Sequence, residues 1–92
     1  MPYHVYILSN RTKVLYVGVT GNLRARMARH RAHKGAAFAR RYNVDRLVFL
    51  EQYSDRATAY ARESQIKGWS RRKKIAFIDG QNPMWRDLSD EL

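Results

Sequence analysis

Two short apolar runs open the chain, YHVYIL over residues 3–8 and KVLYVGV over residues 13–19, with polar SNRTK between them. Both are rich in β-branched and aromatic residues, and runs of that kind flanking a turn-like segment predict a β-hairpin. If the hairpin is centred near Arg11, facing positions sum to 22. Tyr6 then opposes Tyr16, Leu8 opposes Val14 and His4 opposes Gly18. Side chains alternate across a strand with period two, so facing residues share one side of the sheet. This register puts the two tyrosines on the same face.

After Gly21 the pattern turns helical. Asn22 is a plausible N-cap for LRARMARHRAHK, and Gly35 a C-terminal stop. That helix has sparse apolar positions, with Leu23 and Met27 at i, i+4, and Arg26 and His30 share a face by the same spacing. GAAFARRYN (35–43) reads as a loop or a short irregular helix, and RLVFLEQY (46–53) as a third strand. Ser54 or Asp55 caps a helix RATAYARESQIK that ends at Gly68. Ser70 caps another, RRKKIAFID, that ends at Gly80. Pro83 excludes a helix interior from the tail. The order β-β-α-β-α-α predicts a small α+β fold, a mainly antiparallel three-stranded sheet flanked by helices, as one domain over 1–92.

Composition narrows the function. The net charge is +10, from 18 Lys and Arg against 8 Asp and Glu. Four of the acids, Asp79, Asp87, Asp90 and Glu91, fall near the C-terminus, so residues 1–78 hold 17 basic and 4 acidic residues. Such a balance points to a polyanion, with nucleic acid as the default partner. The basic residues are interleaved with strands rather than gathered on one amphipathic helix, which argues against a membrane surface. No apolar run approaches the ~20 residues of a membrane helix, and the first residues lack the pattern of a secretory signal. There is no cysteine, hence no disulfide framework and no thiolate metal site, as suits a reducing cytoplasm.

Two features sit badly with stability alone. Ala59, Glu63 and Ile66 follow one i, i+4, i+7 stripe, so a carboxylate occupies a position facing the sheet or its rim. It needs an arginine partner or a hard divalent ion such as Mg²⁺, which is held by one or two carboxylates plus water and phosphate oxygens. Glu51, on the predicted third strand, is the other acid in a structured region. The second feature is SRRKK, which puts four cations into a first helical turn whose dipole is already positive. That is costly for a helix and useful for phosphates. His4 and His30 suit a general base, a metal ligand or an ordinary polar position alike.

With these residues in view, the chain resembles the GIY-YIG nuclease superfamily. HVY, then YVG ten residues later, then Arg26, His30, Glu63 and Asn82, follow the family's ordered set. Tyr6 matches the first signature tyrosine, Tyr16 and Gly18 the second tyrosine and its glycine, Glu63 the metal-binding glutamate and Asn82 the late asparagine. YVGVTGNLRARMARH, RESQIKGWSRRKK and NPMWRDL look most like the small stand-alone bacterial proteins of that family. The resemblance implies a metal-dependent endonuclease that hydrolyses phosphodiester bonds in DNA, structure-selective and acting in repair or recombination. It implies Mg²⁺ or Mn²⁺ on Glu63, and Tyr6, Tyr16, Arg26, His30, Glu63 and Asn82 as catalytic residues. Arg24, Arg29, Lys67, Arg71, Arg72, Lys73 and Lys74 would contact nucleic acid, and a protein partner supplying specificity is left room for. His4 departs from the family glycine, and Val19 from the lysine of one branch, which leaves activation of the tyrosine unassigned. The alternatives are a non-catalytic basic nucleic-acid-binding module and an RNA-associated protein in which Trp69 and Trp85 stack on bases.

Overall fold

The computed structural model describes residues 2–32 and 37–91. The hairpin forms from β1 (Tyr3–Ser9) and β2 (Leu15–Thr20), followed by α1 (Leu23–Arg31) and α2 (Ala37–Tyr42). Then come β3 (Arg46–Tyr53), α3 (Arg56–Lys67), α4 (Arg71–Gln81) and a short 3-10 turn at Leu88–Glu91. The sheet is antiparallel in the order β2-β1-β3, the α+β architecture expected from the hydrophobic pattern. The segment read as a loop or irregular helix contains the regular helix α2. The expected helix stop at Gly35 lies outside the described residues; within them α1 ends at Arg31, with Ala32 as its C-cap.

The hairpin register differs from the expected one by two residues. Tyr6 pairs with Gly18 and Leu8 with Tyr16, so facing positions sum to 24. The cause is the turn. Asn10 Oδ1 accepts from the Thr12 N–H at 3.0 Å, the Thr12 hydroxyl at 2.9 Å and the Val14 N–H at 3.1 Å. Lys13 takes the left-handed conformation, φ 62°, and its N–H donates to Asn10 O. The hub at Asn10 makes a longer loop and moves its centre to Thr12. A shift of two preserves parity, so the tyrosines stay on one face, diagonal rather than opposite.

That parity divides the core. Val5, Ile7, Val17 and Val19 point to one side and pack with Ala59, Ile66 and Ile78 of the last two helices. Tyr6 and Leu8 point to the other, against Leu23 and Met27 of α1. A bulge between Ile7 and Leu8 on the β3 pairing lets Leu47 join the α1 cluster while Val48 and Phe49 join the opposite one.

Local caps read cleanly from sequence. Asn22, Asp55 and Ser70 each accept a hydrogen bond from a backbone N–H in the first turn of their helix. One stop does not hold: α4 runs through Gly80 to Gln81, with Asn82 at its C-cap. A glycine inside a helix costs only about 1 kcal/mol, and Pro83 supplies the firmer stop.

Candidate active site

The site is built on the α1 side of the sheet. Tyr6 is fully buried, Tyr16 half-buried, and His30 is 4% exposed. His30 comes from α1, where Leu23, Met27 and His30 form the buried i, i+4, i+7 stripe. An imidazole therefore takes a position where an apolar side chain would serve the fold. The three rings converge: Tyr6 and Tyr16 centroids are 6.4 Å apart, Tyr6 and His30 6.3 Å, and Tyr16 and His30 5.6 Å edge-on. Arg26, one helical turn before His30, donates from Nη1 to the Tyr6 hydroxyl at 3.4 Å.

The signature glycine has a steric reason. Gly18 faces Tyr6 across the strands, and a Cβ there would fall 2.5 Å from the Tyr6 Cζ and hydroxyl. The ring lies over the glycine, and only a hydrogen side chain leaves it room.

Burial sets the protonation of this cluster. It pushes the Tyr6 phenol up to about 12, with Arg26 opposing and the charges of Tyr16 and Glu63 reinforcing. Tyr6 is thus a neutral donor and acceptor at pH 7. Burial also lowers the His30 pKa below its ordinary value, aided by Arg26 and Arg29, so the imidazole is neutral. Both His30 ring nitrogens are buried without a hydrogen-bond partner among the described residues. A buried unsatisfied group costs about 1–3 kcal/mol, a burden tolerated where the group has another task. His4 shares this face of β1, and its Nδ1 is likewise buried without a partner. Val19, the position of the missing lysine, points to the opposite face and is buried in the apolar cluster there.

Glu63 sits at the rim rather than in the core. Ala59 and Ile66 on the same stripe are fully buried, whereas the Glu63 side chain is 15% exposed and its Oε2 lies 3.2 Å from Lys67 Nζ. The expected arginine partner is thus a lysine one turn on. Arg62 instead grips Glu51 with both Nε and Nη2, at 2.9 and 3.0 Å, and Tyr53 donates to the same carboxylate. Glu51 is committed to that pair. Among the described residues no three His, Cys, Asp or Glu side chains gather as a metal cage. A single carboxylate at a rim that already accommodates a cation suits a hard ion bound otherwise by water and phosphate oxygens.

Asn82 is drawn to other partners. It is buried, and its side chain joins Val48 O, Arg86 O and the Arg86 N–H at 2.9–3.1 Å. These bonds fasten the tail to β3 and give the residue a structural task. The tryptophans also pack: Trp85 is 8% exposed and donates to Asp79, and Trp69 lies on Phe77 beneath Arg62 and Lys73. Neither presents the open face that base stacking requires.

The proposed nucleic-acid contacts divide in two. Arg24 and Arg29 are exposed on α1, while Lys67, Arg71, Arg72, Lys73 and Lys74 surround the α3–α4 corner, with Lys74 half-buried. Lys67 and Lys74 line a hollow of about 270 Å³ together with Leu15, Tyr16 and Val17. The sequence marked both lysines as basic without distinguishing them; their i, i+7 relation across Gly68 and the helix corner is what brings them to one tyrosine.

Comparison with known proteins gives the family and the fold. The model of the GIY-YIG catalytic domain matches residues 2–76. A UPF0213 protein of Staphylococcus haemolyticus is 38% identical over 77 residues, covering 84% of this chain and 94% of the relative. Another from Natronomonas pharaonis is 39% identical over 76 residues, covering 83% and 89%. The solution NMR structure of a UPF0213 protein from Bacillus halodurans superposes with a TM-score of 0.62 at 28% identity, covering 98% of this chain and 96% of that one.

Proposed function

Because the chain belongs to the GIY-YIG family, whose model is that of a catalytic domain, we propose that it is a divalent-metal-dependent endonuclease cutting phosphodiester bonds in DNA. The observation that carries this reading is the convergence of Tyr6, Tyr16, Arg26 and His30. A fold needs no buried neutral imidazole with two idle nitrogens between two phenols. Branched or damaged DNA in repair or recombination suits it as substrate, with a protein partner adding specificity.

In this reading Arg26 clamps the scissile phosphate with its planar guanidinium. Tyr6, protonated at neutral pH, holds that guanidinium in place. Tyr16, the tyrosine that reaches an open hollow, orients the attacking water. As the water oxygen bonds to phosphorus, the bond from phosphorus to the leaving sugar oxygen breaks; the water's proton passes to the Tyr16 oxygen while the Tyr16 proton moves to neutral His30, and the leaving oxygen takes a proton from solvent. Glu63 would hold Mg²⁺ or Mn²⁺, which when bound stabilises charge on the phosphoryl and leaving oxygens. Asn82 acts at one remove, by fixing the tail.

The test incubates the protein with supercoiled, branched and single-stranded DNA, with Mg²⁺ or Mn²⁺ or with chelator. Nicking that needs the ion and falls at least 100-fold in Glu63→Ala, Arg26→Ala and Tyr16→Phe is the expected result, the size of loss typical for a general acid–base or electrostatic group. Metal-dependent nicking that survives Glu63→Ala would sink the assignment of the metal ligand. Binding with no cleavage of any substrate would make the chain a non-catalytic module. Independently of activity, Mn²⁺ should raise the Tm of the wild type and leave that of Glu63→Gln unchanged.

A further inference from the structure

β2 is an edge strand, and the hollow at that edge is the one at which Tyr16 meets Lys67 and Lys74. A second hollow of about 270 Å³, lined by Val14, Leu15, Arg71 and Lys74, shares Leu15 and Lys74 with it. The two form a cationic path along β2 from Tyr16 toward the start of α4. Each is smaller than the ~300–1,000 Å³ of sites that enclose small molecules. A path this shallow, with ammonium groups on one side and a strand on the other, fits a chain that carries one anion after another.

We propose that this path seats the nucleic-acid backbone next to the cut, with Lys67 and Lys74 gripping the phosphate that flanks the scissile one. The inference rests on reading the chain as a nuclease, and it singles out two of the seven candidate cations. The Glu63 pairing does not withhold Lys67 from that task. Its side chain is 54% exposed, and an ammonium with three donors can hold a phosphate oxygen beside the carboxylate. Lys74, half-buried against β2, has less freedom and sets the position. Arg24 and Arg29, on α1, then contribute to attraction at a distance rather than to this grip.

The experiment titrates the ¹⁵N-labelled chain with a short single-stranded oligodeoxynucleotide in chelator, so that nothing is cut. Binding is also measured against salt for the wild type, Lys67→Gln, Lys74→Gln and Arg56→Gln. Arg56 removes an equal charge from the far end of α3, about 16 Å from Lys67 at 1.5 Å per residue, beyond the ~8 Å Debye length of physiological salt. The amides of Leu15, Tyr16 and Val17 should shift on binding. Lys74→Gln should lower affinity three- to tenfold and reduce the slope of log K against log salt by about 0.7, one single-strand phosphate contact. Lys67→Gln should do the same, and Arg56→Gln should leave the slope unchanged. Shifts confined to α1, or a Lys74→Gln slope equal to that of Arg56→Gln, would overturn the proposal. So would inorganic phosphate moving the Leu15–Val17 amides while the oligonucleotide leaves them still. Failure of the nuclease reading looks different: DNA would stay uncut with metal while the hollow still took up the oligonucleotide.

Discussion

At the scale of single residues, the cluster is held by steric and protonation constraints that can be perturbed separately. Gly18→Ala puts a methyl 2.5 Å from the Tyr6 ring. The ring is buried, so it has no solvent to move into, and overpacking of this kind costs about 1–3 kcal/mol. A matching fall in denaturant midpoint with an unchanged m-value checks it. His30 gives a pH signature. Its folded pKa lies below the ordinary value near 6.5, so below about pH 6.5 the unfolded chain binds more protons than the folded one. The contribution of neutral His30 to stability is therefore complete above that pH and is lost as pH falls toward the folded pKa. Melts across pH 4.5–7.5 should show this loss, and His30→Leu should flatten it. The tyrosine face could be read from sequence because parity survives a register error of two. The weight of His30 could also be read, since it stands at i+7 from Leu23, but that stripe has only two apolar members ahead of it and is easily passed over. The pairing of Lys67 and Lys74 at Tyr16 depends on the angle between two helices, which no local pattern carries.

The elements differ in how far sequence determines them. Caps at Asn22, Asp55 and Ser70 are local hydrogen bonds between neighbours, and β3 has the bounds its apolar run predicts. The hairpin register is decided by Asn10, whose side chain can collect Thr12 and Val14 only once the turn exists. α4 stops short of Pro83, and its cap Asn82 is held by Val48 on β3 and Arg86 in the tail, partners that the helix's own pattern does not carry. Asn82→Ala removes three hydrogen bonds from a buried clasp. At about 1 kcal/mol each the loss is roughly 3 kcal/mol, or a fall in Tm of about 12–24 °C for a chain of this size. The site itself is built on β1, β2 and α1 with Glu63 from α3, and the Asn82 side chain bonds none of these elements, so nicking by Asn82→Ala at a temperature where it stays folded should remain within a few-fold of wild type. A loss matching that of Arg26→Ala would instead put Asn82 in contact with the reacting groups.

Over the whole molecule the same charges act in two opposite ways. The described chain measures 32 × 29 × 24 Å and the sequence carries +10. At 0.01 M salt the Debye length is about 30 Å, so every cation feels every other across the fold; at 0.15 M it is about 8 Å, and only neighbours interact. Self-repulsion should therefore depress the stability of the free chain at low salt. Raising salt from 0.01 to 0.15 M should raise its Tm, with little further change above that range. Nucleic-acid affinity should move the other way over the same range, falling linearly in log–log form with each phosphate contact released. A melt and a binding isotherm at each salt concentration measure both effects on one sample. A Tm independent of salt would mean that the acids near the C-terminus, among them Asp87 on Arg31, already neutralise the field inside the fold. A binding slope near zero would remove nucleic acid as the partner altogether, because the excess of 18 Lys and Arg over 8 Asp and Glu is what points to a polyanion.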